Sequence, residues 1–288
     1  MCESQTKVLI NEQITFFGAG SMAEAIIRGM TNRSVVKRGG ITVINRSNQA
    51  RLEELQQQYG VLFQTEDAAK TELLRHSPVI VLAMKPKDAA GALEQLGPLL
   101  SDEQLIISVI AGLSIRTMQT LLGRKQSIAR TMPNTSSSIG LGATGISFSK
   151  EISESQRKNV LTMFESVGTV TVIEEEKMDV LTGISGSGPA YVYYLMEAMI
   201  AGGIRGGLTP EQAHELTVQT ALGAARMVQQ TGEEPSALRH KIMSPNGSTV
   251  AALETLDKGD FYETVIAAVQ RCAERSREMG AVLKEGIE

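Results

Sequence analysis

Tryptophan is missing from this 288-residue sequence, and aromatic residues of every kind make up only 4% of it. An aromatic platform for stacking nucleic-acid bases is therefore not expected. Cysteine is nearly absent. Cys2 and Cys272 stand far apart and form neither a disulfide scaffold nor a metal cluster. His76, His214 and His240 are scattered without a CxxC beside them, so no metal site is expected. Basic charge is not in excess either, with 28 Lys and Arg against 32 Asp and Glu and a formal net charge of -4. That balance argues against a nucleic-acid partner, while a local basic patch can still hold one anionic ligand. No uninterrupted apolar run reaches the roughly 18 residues of a membrane span, and the opening segment lacks the apolar core of a signal peptide. The expectation is a cytoplasmic protein without a membrane partner.

What is present is ordinary globular material, 42% apolar and 21% charged. Short apolar runs at 14–17, 41–44, 61–63, 79–83, 105–109, 127–131, 143–148 and 169–173 predict strands. Helical patterns fall between them: after Gly18, around Leu52 and Leu55, from Pro86 to Gly97, over 115–122 and over 155–164. This alternation predicts βαβ units and a mainly parallel sheet with helices on both faces. Beyond Glu174 no strand pattern is found. Helices are predicted over 189–201, 211–230, 235–243, 249–256 and 261–279, which places an α/β domain at 1–174 and an all-α domain at 175–288. The 211–230 helix carries Ala213, Leu216, Val218, Ala221, Leu222, Ala224, Ala225, Met227 and Val228, more than one apolar stripe. Either it lies at the centre of its own domain or a second copy covers it. An extensive homodimer interface is the favoured reading.

The turn Gly18-Ala19-Gly20-Ser21-Met22-Ala23 separates the first strand from the first helix. Gly18 permits a tight turn, Gly20 lets a pyrophosphate approach the backbone N–H groups, and Ala23 allows close helix–sheet packing. Alone, a GxGxxA is a weak signal. Opening the first βαβ unit, it predicts dinucleotide binding, with the anion at the helix N-terminus. The second strand ends in Asn45-Arg46-Ser47, without the acid that usually holds an NAD ribose. Arg46 can pair with a 2′-phosphate and Ser47 can donate to it, so NADPH is the expected cofactor and NADH the lesser one. Exposed arginines also occur in loops without any ligand. Ala83-Met84-Lys85-Pro86 and 108–112, including Ala111 and Gly112, follow the fourth and fifth strands, where the nicotinamide half belongs. Lys85 reads equally well as an ordinary solvated lysine.

Residues 181–191, LTGISGSGPAY, are poised to start a helix near Ser187 or Gly188 with Pro189 in its first turn. The N–H donors of such a start form a seat for a carboxylate, although a plain capped helix explains the same residues. SPNGST at 244–249 repeats the theme and leaves the hydroxyls of Ser248 and Thr249 near another helix start.

Taken together, FFGAGSMAEAI at the N-terminal end, AMKP at 83–86, SVIAG at 108–112, RTMPNT at 130–135, LTGISGSGPAY and SPNGST resemble the pyrroline-5-carboxylate reductase family, in family order over nearly the whole chain. The resemblance implies NAD(P)H-dependent reduction of 1-pyrroline-5-carboxylate to L-proline. It also implies an N-terminal Rossmann-type domain and a helical C-terminal domain that dimerises, with larger assemblies of dimers in the family. By the same resemblance Ser185, Gly186, Ser187 and Gly188 line the substrate region. The loop ending in Gly247, Ser248 and Thr249 receives the substrate carboxylate and ring nitrogen, and Thr249 orients that nitrogen. Two residues depart from the family pattern: Asn246 stands where glycine is common, and Ser21 where asparagine is. Two other readings remain beside this one. The first is a β-hydroxyacid-type dehydrogenase using Lys177 near the domain boundary. The second is an NADPH-binding sensor without turnover.

Overall fold

The computed structural model describes residues 10–285, with side chains through Ala281, so Cys2 lies outside the described residues. The first half alternates strand and helix: β1 (Ile14–Phe17), α1 (Ser21–Asn32), β2 (Ile41–Ile44), α2 (Gln49–Tyr59), β3 (Leu62–Phe63), α3 (Asp67–His76), β4 (Val79–Leu82), α4 (Pro86–Leu96), β5 (Leu105–Ser108), α5 (Ile115–Leu122), β6 (Ser127–Met132), β7 (Gly142–Phe148), α6 (Glu154–Glu165) and β8 (Gly168–Val172). The eight strands form one sheet in the order β3-β2-β1-β4-β5-β6-β7-β8. All neighbours pair in parallel except β6 with β7. The 3-2-1-4-5-6 order is the Rossmann arrangement, with two strands added at one edge.

Alternation along the strands divides the core between the two faces of the sheet. Ile14, Phe16, Val43, Val81 and Ile107 pack with Ile26, Leu55 and Phe164 of α1, α2 and α6. Ile44, Ile80, Leu82 and Ile106 pack with Leu74, Leu93 and Met118 of α3, α4 and α5. Helix α3 is absent from the sequence expectations. Only Leu74 of it is buried, too little to register as a periodicity.

Contacts divide the chain into two compact units, Ser187–Gln270 in one and the remainder in the other. After β8 come α7 (Met178–Leu181), α8 (Gly188–Arg205), α9 (Pro210–Thr231), α10 (Pro235–Lys241), α11 (Ser248–Lys258) and α12 (Phe261–Glu285). The helical unit has little core of its own. Of α9 only Ala213 and Thr217 are buried, and α8, α10 and α11 bury no residue fully. Tyr194 is 76% exposed, Leu216 57%, Met227 50% and Leu222 47%. An apolar surface of this breadth marks an interaction face. Among the described residues no helix is long and apolar enough to cross a membrane.

Candidate active site

The chain crosses from β1 to α1 through the predicted turn. Gly18 donates its N–H to the Ile44 carbonyl at 2.8 Å, and Ala83 donates to the Phe17 carbonyl at 2.9 Å. Gly18 has φ +123°, and a Cβ there would lie 2.4 Å from the Ala83 carbonyl oxygen. The turn and the 83–86 loop thus meet backbone to backbone between β1 and β4, where the strand order reverses. In an open sheet this is the ligand crevice. Gly20 is the N-cap of α1, supplies no side-chain cap, and has nothing within 4 Å of the place a Cβ would take. Space and uncapped N–H donors coincide at a helix N-terminus, the arrangement that receives a phosphate. Ala23 is fully buried, as close helix–sheet packing requires. Ser21 is exposed and Met22 and Ala19 half-buried.

Beyond β4, Lys85 is the exposed N-cap of α4 and Pro86 occupies its first turn. Beyond β5, Val109 donates to the Leu82 carbonyl at 3.1 Å, joining the 108–112 loop to the end of β4. Gly112 has φ +76°, and its added Cβ would sit 3.3 Å from the Gly280 nitrogen of α12. Ala111 and Gly112 are half-buried.

At the end of β2, the side chain of Asn45 is engaged in closing its own turn. It donates to the Asn48 carbonyl at 2.7 Å and accepts the Asn48 N–H at 3.1 Å. Arg46 and Ser47 are the exposed polar ends. Arg46 lies 3.3 Å from Asp88, with its side chain 83% exposed. Such a pair is worth little in water, so the guanidinium is available to a stronger anion. Arg46→Asp should therefore lower kcat/KM with NADPH much more than with NADH. A charge-assisted hydrogen bond is worth roughly 1.5–3 kcal/mol, and the new carboxylate adds repulsion. Equal losses with the two cofactors, at fixed ionic strength, would remove Arg46 from phosphate recognition.

The 181–191 segment starts a helix where expected, with Ser187 as N-cap and Pro189 in the first turn, but helical structure already precedes that start. Helix α7 leads into a π-helical turn at Thr182–Gly186, which leads into α8, whose N-cap is Ser187. The physical reason lies in Pro189, which has no N–H to give the Ser185 carbonyl four residues back. Asn134 fills that gap, donating Nδ2–H to Ser185 O at 2.9 Å, and its Oδ1 accepts the Ala143 N–H at 3.2 Å. The Ser185 hydroxyl donates to the Leu181 carbonyl. Ser185 and Gly186 belong to the first unit, whereas Ser187 and Gly188 begin the second.

Gly247, Ser248 and Thr249 stand at the start of α11. Gly247 is its N-cap, and no side chain caps the helix. Asn246 has φ +58°, the left-handed geometry that glycine and asparagine adopt most readily, so the turn keeps its form. The N-terminus of α11 is a second uncapped helix start, with the hydroxyls of Ser248 and Thr249 on its first two residues.

A family model for pyrroline-5-carboxylate reductase dimerisation matches residues 175–279, and one for NADP oxidoreductase, coenzyme F420-dependent, matches residues 13–112. Pyrroline-5-carboxylate reductase 2 of Bacillus subtilis is 43% identical over 93% of this chain and 95% of its own length. The chain belongs to the pyrroline-5-carboxylate reductase family. Its fold is also that of solved members. A Coxiella burnetii pyrroline-5-carboxylate reductase superposes with TM-score 0.87 at 33% identity, over 94% of this chain and 99% of its own. A Plasmodium falciparum pyrroline carboxylate reductase with NADP bound does so with TM-score 0.84 at 32% identity, over the same shares.

Membership in this family overturns the dehydrogenase reading built on Lys177. That lysine is exposed and lies 2.9 Å from Glu174. The hydrogen bond and charge of Glu174 raise its pKa, the opposite of what activates a catalytic amine. Sequence reasoning missed two residues that shape the site. Asn134 was visible inside RTMPNT without a role, and Arg51 sat in a helix marked only by Leu52 and Leu55.

Proposed function

We propose that this chain reduces 1-pyrroline-5-carboxylate to L-proline, the last step of proline biosynthesis, with NADPH as preferred donor and NADH as the lesser one. The observation that carries the reading is family membership along nearly the whole chain, joined to two uncapped helix starts suited to anions. Gly18 would shape the turn and the backbone of Ala19, Gly20, Ser21 and Met22 would hold the pyrophosphate, which the open space at Gly20 fits. Arg46 and Ser47 would hold the 2′-phosphate, with Asn45 shaping their turn. Ala83, Met84, Lys85, Pro86, Ala111 and Gly112 would border the nicotinamide half. Bound NADPH would supply the hydride that the C=N carbon accepts. Gly247 gives its own N–H to the Ser244 carbonyl at 2.9 Å and shapes the turn. The N–H groups of Ser248 and Thr249 hold the substrate carboxylate, the Thr249 hydroxyl orients the ring nitrogen, and Ser185, Gly186, Ser187 and Gly188 belong to the substrate region. A protonated cyclic imine is already electrophilic, so fixing its carbon and nitrogen supplies much of the rate.

In this reading the cofactor domain is 1–174 and the substrate-binding and dimerisation domain 175–288. A second copy covers the exposed helices α8 and α9, and dimers join into a higher oligomer. The widely spaced cysteines suit a reducing cytoplasm. The decisive test is a steady-state assay of NADPH oxidation by 1-pyrroline-5-carboxylate with proline as product. Tight NADPH binding without turnover would favour the sensor reading instead. Sedimentation at micromolar concentration should show no folded monomer, and an active monomer over that range would defeat the dimer.

A further inference from the structure

A phosphate-binding turn has to keep its N–H groups free for the ligand, so its carbonyls must find partners elsewhere. One of them is held from a distance. Arg51 of α2 donates Nε–H to the Ala19 carbonyl at 3.1 Å, across 32 residues of sequence. The same guanidinium donates Nη1–H to Glu54 at 2.6 Å and Nη2–H to Glu24, and the Tyr59 hydroxyl donates to the other Glu24 oxygen at 2.9 Å. The rigid, extended fork of the guanidinium reaches all three acceptors at once, a spread that the compact ammonium of a lysine does not reproduce.

Glu24 makes this arrangement more than a brace. It lies in the first turn of α1, the helix whose start is the expected phosphate seat. An anion there is favoured by the helix dipole but competes with any phosphate arriving at the same end. Burial pushes the Glu24 carboxyl up. The hydrogen bonds from Arg51 and Tyr59 and the Arg51 charge outweigh burial and hold it below the usual carboxylate range. The acid therefore stays ionised, with Arg51 as its counter-charge. Arg51 also belongs to the other end of the cradle. Its backbone N–H is capped by Asn48 Oδ1 at 3.1 Å, directly after the Arg46-Ser47 turn.

We propose that Arg51 is a positioning residue for dinucleotide binding: it fixes the Ala19 carbonyl and neutralises Glu24, leaving the turn open and electrostatically receptive to a pyrophosphate. This rests on the reading of the turn as a cofactor seat. The experiment is a fluorescence titration of NADPH and NADH against wild type, Arg51→Gln, Arg51→Lys and the Glu24→Gln/Arg51→Gln double variant, at low and high salt. Arg51→Gln should raise both dissociation constants by a similar factor, at least about tenfold, because the pyrophosphate is common to the two ligands. The loss should shrink at high salt. kcat at saturating NADPH and KM for 1-pyrroline-5-carboxylate should stay near wild type. Arg51→Lys should lie between wild type and Arg51→Gln, and the double variant should recover much of the loss. A merely structural role would lower the melting temperature without this pattern. Wild-type binding with an unchanged Arg51→Gln, or a double variant no better than the single one, overturns the positioning role alone. Wild type that binds no dinucleotide defeats both this inference and the functional reading.

Discussion

Gly18→Ala should abolish measurable NADPH binding and lower the melting temperature sharply, while Gly20→Ala should lose affinity at a nearly wild-type melting temperature. The two glycines belong to one turn but are there for different reasons. At Gly18 the added Cβ meets the Ala83 carbonyl carbon at 2.5 Å and the Met84 nitrogen at 2.9 Å, all backbone that cannot swing aside. Its φ of +123° is also a conformation that side chains resist. Backbone strain of this kind costs about 1–3 kcal/mol. Forcing an extra carbon into packed structure costs typically about 1–3 kcal/mol more. Relief requires the turn to part from the 83–86 loop, the two backbones that line the crevice. Against a total stability of about 5–15 kcal/mol, that is a large fraction. At Gly20 φ is −75° and nothing stands within 4 Å, so the methyl group costs the folded protein little and occupies only the open space that the proposed pyrophosphate seat needs. Thermal melts beside NADPH titrations check both. A Gly18→Ala protein with wild-type melting and affinity would show that the close approach to Ala83 does not matter.

The contrast also shows which parts of the site were legible in the sequence. Gly18 and Gly20 announced themselves because a turn between a short apolar run and a helical pattern has few solutions. The eight strands were legible for a similar reason. Buried between two helical layers, β1, β2, β4 and β5 read as near-continuous apolar runs, and the ends of all eight strands shift by no more than a residue or so. Asn246 was legible too, since asparagine tolerates the left-handed backbone it adopts. The π-helical turn at Thr182–Gly186 was not. Three glycines and a proline in 183–189 suggest a turn before a helix start, and Asn134, far away in sequence, supplies the donor that lets Ser185 stay helical beside Pro189. Arg51 was hidden in the same way. Its i,i+3 pairing with Glu54 is what any solvated helix shows, whereas its bond to the Ala19 carbonyl exists only once α2 lies beside the turn. Local pattern reports local structure, and a bond made by tertiary approach leaves no periodic trace.

Thr249→Val should leave folding and NADPH affinity intact while kcat/KM for 1-pyrroline-5-carboxylate falls at least about tenfold, roughly 1.4 kcal/mol or more of transition-state stabilisation. The competing account gives the hydroxyl a helix-capping role, in which its removal would cost about 0.5–2 kcal/mol of stability. The geometry of α11 speaks against that account. The N-cap is Gly247, Thr249 is the second helical residue, and no side chain caps this helix start. Valine keeps the β-branched shape, so the backbone preference of the position is unchanged. What disappears is one hydroxyl beside uncapped N–H groups. If that hydroxyl orients the ring nitrogen, the substrate carboxylate is still held but the C=N bond is free to turn away from the hydride. The loss should then fall mainly on kcat, because the helix N–H groups continue to bind the anion. Thr249→Ser, which retains the hydroxyl with more freedom, should recover most of the rate. A Thr249→Val enzyme with unchanged kcat/KM would take this hydroxyl out of the mechanism and leave reduction to proximity and the reactivity of the protonated imine.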